Sequence, residues 1–166
     1  MYQIGDLVVH GSMGVCRVEG FSQPNSRDQK QFYCLSPLYQ PGVVYTPVES
    51  SKVPLRPVMT AEDASALLEK IPQIGTEVIK ERTLQLLSQR YQSVLQSGDS
   101  LQLLTLILSV REKRRQAELQ NRRLGMVDER FCRQAERLLF GELAVALSMP
   151  VEEVSACITA RLPEPV

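Results

Sequence analysis

Tryptophan is missing from this 166-residue chain, aromatic residues make up only 5% of it, and His10 is its single histidine. One histidine with no flanking carboxylate cannot supply a ligand shell for zinc or an oriented base for a Ser-His-Asp arrangement. The four cysteines, Cys16, Cys34, Cys132 and Cys157, are scattered and form no C-x-x-C pair. They read as small thiols, buried or half-buried, in a reducing compartment, not as a metal site. Also lacking are the nucleophile elbow G-x-S-x-G, the phosphate loop G-x-x-x-x-G-K-S/T and the zinc helix H-E-x-x-H. Catalysis therefore has no motif to stand on, and neither an enzyme nor a cofactor is expected. No basic start followed by an apolar run, and no stretch of about 18 uninterrupted apolar residues, marks a leader or a membrane span. A cytoplasmic protein without membrane attachment is expected. Excess charge of either sign is absent too: 19 basic and 19 acidic residues cancel, so net charge gives no argument about partners.

What the chain does contain changes character near residue 59. Up to that point short runs rich in β-branched and aromatic residues alternate with turn chemistry: Leu7 to His10, Val15 to Phe21, Gln31 to Leu38, Val43 to Pro47 and Val53 to Arg56. Gly11 and Gly14 allow the first turn, the polar stretch Pro24 to Asp28 a second and Pro41-Gly42 a third. Five short strands in so few residues suit a small Tudor-like or SH3-like barrel, because closure removes exposed edges. Beyond residue 59 the period becomes helical. Thr60 with Glu62 and Asp63 starts one helix and Pro72 and Gly75 end it. Thr76 then opens a long pattern from Val78 to Leu95, which Ser97-Gly98-Asp99 stops. The next helix, with Leu101, Leu103, Leu104, Ile107, Leu108 and Val110, is apolar on nearly all sides and so central. Further helices are expected from Asp128 to Leu147 and, after the cap at Ser148-Met149-Pro150, to about Arg161. The fold class is thus α+β: an N-terminal barrel over residues 1–59 and a compact all-α domain of four to five helices over 60–166.

The order of the runs Gly5 to Glu19, Tyr33-Cys34-Leu35, Val44 to Val48 and Leu55 to Val58 resembles the N-terminal domain of the CarD/CdnL family of bacterial transcription regulators. Ser97-Gly98-Asp99, Val127 to Glu129 and Gly141 to Leu147 are similar to stations along that family's helical domain, in the same order. The resemblance implies a barrel that docks on the β subunit of RNA polymerase and helices that touch promoter DNA upstream of the melted region, stabilising the open complex. Carried onto this sequence, it places the polymerase contact at Val43, Val44, Tyr45 and Thr46, with Arg27 beside them. Tyr45 is either an aromatic anchor or a strand tyrosine shielding the surface. Many relatives wedge a tryptophan against the upstream bubble edge. Counting back from Gly98-Asp99, Leu84 takes that position here and Leu87 is the fallback, with Arg90 nearby; Leu84 reads equally as core.

The sequence has its own argument for DNA. Between Arg111 and Arg123 stand Arg111, Lys113, Arg114, Arg115, Arg122 and Arg123 against only Glu112 and Glu118. On one continuous helix Arg111, Arg115 and Arg122 share a side with Arg114 adjacent, where they would meet phosphates along a groove edge. A solvated, salt-bridged face is the alternative. The oligomeric state is left open, a monomer being the simpler expectation. A reading from a different class is a protein adaptor: a barrel recognising some other partner, with helices that serve docking and no DNA.

Overall fold

The computed structural model describes residues 2–11, 13–23, 30–49, 55–74 and 78–162. The chain divides into two compact units, Met1–Met59 and Thr60–Val166. As the sequence pattern predicts, the first is an antiparallel sheet and the second is helical.

In the first unit β1 (Leu7–His10), β2 (Gly14–Ser22), β3 (Phe32–Pro37), β4 (Val44–Pro47) and β5 (Leu55–Pro57) hydrogen-bond in the order β4-β3-β2-β1-β5. Gly14 opens β2 at φ +77°, a left-handed conformation that costs a residue without Cβ little, and His10 pairs with Gly14 across the resulting tight turn. The register between β2 and β3 shifts between Val18 and Gly20, a bulge in the long second strand. Period-two alternation sorts the side chains. Val8, Cys16, Val18, Tyr33 and Leu35 form one buried cluster, against which Tyr2, Met13, Val44, Val48 and Leu55 pack. All five strands therefore contribute to a single core on one face. Tyr33 serves it twice, packing its ring inward and accepting the Tyr2 backbone N–H on its hydroxyl at 3.0 Å. The polar tip expected at Pro24 to Asp28, and the Val53 end of the last strand, lie outside the described residues.

The second unit contains α1 (Ala61–Glu69), a short 3-10 turn (Ile71–Gln73), α2 (Leu84–Ser97), α3 (Ser100–Leu119), α4 (Met126–Leu147) and α5 (Val151–Arg161). Thr60 caps α1 by accepting from the Asp63 N–H, and Asp99 caps α3 by accepting from the Leu101 and Gln102 N–H groups. Helix α4 packs against each of the other four, and α3 is buried at Leu103, Leu104 and every position from Leu106 to Val110. The apolar girth of α3 expected from sequence is real, yet α4 is the hub.

Three sequence expectations are corrected here. The long helix from residue 76 is shorter: α2 begins at Leu84, because Thr83 accepts the Leu86 N–H, while the Ile79 N–H is spent on the Ser109 hydroxyl at 2.8 Å. Arg122 does not continue the face of α3. The helix ends at Leu119, Asn121 turns at φ +54° and the Arg122 N–H folds back onto the Ala117 carbonyl. Ser148 is not the cap of the last helix: it closes α4 in the left-handed region, and α5 starts after Pro150.

Candidate functional site

Strand β4 lies at the end of the sheet order and pairs, among described strands, only with β3. Among the described residues nothing pairs with its outer backbone edge, the kind of edge that another strand can extend. The register decides which side chains accompany that edge. Val44 stands opposite Leu35 and Thr46 opposite Tyr33, both on the core side; Thr46 is buried. Tyr45 opposite Cys34 and Pro47 opposite Phe32 take the other face, and Val43 and Tyr45 are 56% and 55% exposed. Of the expected polymerase contacts, Val43 and Tyr45 are therefore outward, Val44 and Thr46 are inward, and Arg27 lies outside the described residues. Sequence reasoning missed Phe32, Cys34 and Pro47, which complete an apolar outer face beside the edge. The alternation of β3 contained that signal, but only the cross-strand register joins it to Tyr45.

In the helical unit Leu84 is 68% exposed at the first turn of α2 and Leu86 is also exposed. Leu84 is not core. Leu87, the fallback, is: only 7% exposed, it faces the helical interior with Tyr91 and Leu95 and is not an outward contact. Arg90 is half-exposed and donates to Glu81 Oε1 at 3.1 Å.

The basic run splits into two sets. Arg111 reaches α5, donating to Ser155 Oγ at 2.9 Å and Thr159 Oγ1 at 3.0 Å. Lys113 turns inward: its Nζ donates to Asp128 Oδ1 at 2.9 Å and to the Tyr91 hydroxyl at 3.1 Å, and the Tyr91 O–H donates to the same carboxylate oxygen at 2.5 Å. Burial first, and then the bond to Asp128, push the Tyr91 hydroxyl pKa up, so the phenol stays protonated as the donor. Arg115 forks onto Glu112 through Nε and Nη2 at 2.9 and 2.6 Å, and this hydrogen bonding holds the Glu112 carboxyl below its ordinary pKa.

Arg114, Arg122 and Arg123 form the other set. With Glu118, Leu124, Met126 and Glu129 they line a shallow hollow at the corner where α3 gives way to α4, and their guanidinium groups make no hydrogen bond or ion pair with a described residue. Arg130, Arg133 and Arg137 continue the basic surface along α4, lining a second hollow that shares Met126 and Glu129. These last three were missed in the sequence. Their spacing is legible there, but interspersed Asp128, Glu129 and Glu136 hide them from any count of net charge. Of the expected DNA contacts, the structure brings Arg114 and Arg122 together and sends Arg111, Arg115, Arg90 and Leu84 elsewhere. Among the described residues no group of three His, Cys, Asp or Glu side chains could hold a metal, and no single helix is long and apolar enough to cross a membrane.

No curated protein matches the chain. Residues 2–59 match the family described as the CarD-like/TRCF RID domain, so the match spans the sheet unit and stops where the helices begin. The N-terminal sheet unit thus carries a domain of the CarD-like type, which supports a transcription-related, RNA-polymerase-binding role for that unit.

Proposed function

We propose that the chain is a transcription regulator whose sheet unit docks on the β subunit of RNA polymerase through the β4 edge, and whose helical unit leans on upstream promoter DNA. The observation that carries this reading is the β4 edge with Val43 and Tyr45 outward, in a domain of the CarD-like/TRCF RID family. Strand addition supplies main-chain hydrogen bonds, and the alternate outward side chains supply specificity. On the DNA side Leu84, projecting from the first turn of α2, is the wedge; Arg114, Arg122 and Arg123 meet phosphates. Arg111 and Arg115 hold α5 and Glu112, and Arg90 serves DNA only by leaving Glu81. Stabilisation of the open complex follows from linkage: the regulator shifts the equilibrium only by the difference in its affinity for open and closed states. A tenfold shift needs about 1.4 kcal/mol, within reach of one apolar wedge.

Retention of purified RNA polymerase by the immobilised full chain tests the docking. Val43→Asp and Tyr45→Glu, both on exposed positions, should abolish retention while leaving the melting temperature unchanged. Wild-type chain that retains no polymerase would overturn the reading. Retention without any promoter-DNA contribution would favour the adaptor reading, which the internal partners of Arg111, Lys113 and Arg115 support.

A further inference from the structure

We infer that the outer face of α4 from Met126 to Arg137 is a docking surface for an acidic amphipathic segment of a partner protein. The face is defined by helical geometry. At 100° per residue Met126, Arg130, Arg133, Gln134 and Arg137 fall within an arc of about 100°, and they extend along about 16 Å of helix. The opposite side of the same helix is spent on the interior, with Phe131, Cys132, Ala135 and Leu139 buried. All five face residues are exposed, and together with Val127 and Glu129 they line one shallow hollow.

Composition identifies the occupant. Three arginines against one glutamate give the face a net positive charge, so the partner is acidic. The single carboxylate competes weakly, since Glu129 Oε1 stands 3.8 Å from Arg133 Nη2. Arg130 is held in place, its guanidinium 4.6 Å above the Phe131 ring, which reduces the ordering cost of binding. No lysine lines the hollow, and an apolar side chain, Met126, is 85% exposed at its head. Arginine and methionine enriched and lysine depleted is the composition of protein interfaces, where guanidinium groups take carboxylates in a bidentate fork and methionine adapts to an apolar anchor. A length of about 16 Å matches three turns of a helical partner laid along the face. The inference goes beyond polymerase docking through β4 and does not depend on it.

Fluorescence anisotropy with the full chain tests it, using three labelled probes: a helical peptide of glutamates with leucines at i, i+4 spacing, an all-glutamate peptide of equal length, and a random-sequence DNA duplex. The leucine-bearing peptide should bind about tenfold more tightly than the all-glutamate one, roughly the value of burying a single apolar side chain. Met126→Ser should erase that difference, and Arg133→Ala with Arg137→Ala should weaken both peptides about tenfold, while duplex binding follows Arg122→Ala with Arg123→Ala instead. Equal affinity for the two peptides, or indifference to Met126→Ser, would overturn the inference. Duplex DNA that loses affinity with Arg133→Ala and Arg137→Ala as the peptide does would also overturn it, making α4 a nucleic-acid face. These positions are solvent-exposed, so unchanged melting of each variant confirms that the readout is binding.

Discussion

Exposure separates residues that sequence alone treats alike. Leu84 and Leu87 sit one helical turn apart on α2, yet one is 68% exposed and the other 7%. Leu84→Trp should therefore leave thermal stability unchanged and, if α2 abuts the bubble, lengthen open-complex lifetime in a filter-retention assay; an unchanged lifetime would remove Leu84 from the DNA contact. Leu87→Ala should cost about 2–5 kcal/mol in denaturant unfolding, as core leucines do. His10 gives a pH dependence. Burial lowers its pKa below the ordinary 6.5, so the unfolded chain takes up a proton that the folded one refuses. Stability of the sheet unit should fall as pH drops through about 6.5 and flatten once the lowered folded pKa is passed; His10→Gln should remove that step from a pH-melting series. Among the thiols, burial pushes Cys16 up to about 11 and Cys132 up to about 12. Both should resist alkylation in the native protein at pH 8, where Cys34 and Cys157, neither fully buried, react first; mass spectrometry of iodoacetamide-treated protein reads this directly.

At the scale of elements, the polar knot of Lys113, Asp128 and Tyr91 pins α2, α3 and α4 to one another. The Lys113 and Asp128 side chains are only 15% and 13% exposed, so removing one leaves the other charge largely desolvated. Asp128→Ala should cost about 3 kcal/mol, and the double variant with Lys113→Met should recover part of the loss, because a buried pair replaced by apolar groups is often neutral. No recovery in the double-mutant cycle would show that the lysine was already well solvated. The start of α2 depends on a single cap: Thr83→Ala should cost about 1 kcal/mol and fray the turn that presents Leu84, seen as faster amide exchange from Leu84 to Leu87.

For the whole molecule, the arginines divide into structural and available sets, and salt separates them. If Arg114, Arg122 and Arg123 are the phosphate contacts, association with promoter DNA should weaken with log salt at a slope of about −3, and replacing all three by alanine should flatten it. Replacing Arg111 should instead loosen α5, whose Ser155 and Thr159 it binds, and lower thermal stability with little change in slope. The two units can be tested against different partners in the same chain, since the outward β4 side chains and the α4 face share no residue.

The sequence by itself determined the division near residue 59, the strand character of the first unit and the helical character of the second, and the CarD-like resemblance of the first unit. Those features rest on local signals: period-two and period-3.6 patterns, Gly14 and Gly98 at positive φ, and caps at Thr60 and Asp99. Only the tertiary structure decided which charges and apolar groups remain available. Whether Arg111 is free depends on Ser155 and Thr159, more than forty residues away. Whether Tyr45 belongs to a docking face depends on Cys34 and Phe32 across a register that no local pattern encodes. The gathering of Arg122 and Arg123 with Arg114 required the turn at Asn121, and the packing of α4 against the other helices decided that its face from Met126 to Arg137 stays exposed. Local propensity is written residue by residue, whereas availability is what remains after distant residues have claimed their partners, and only the folded chain sets that.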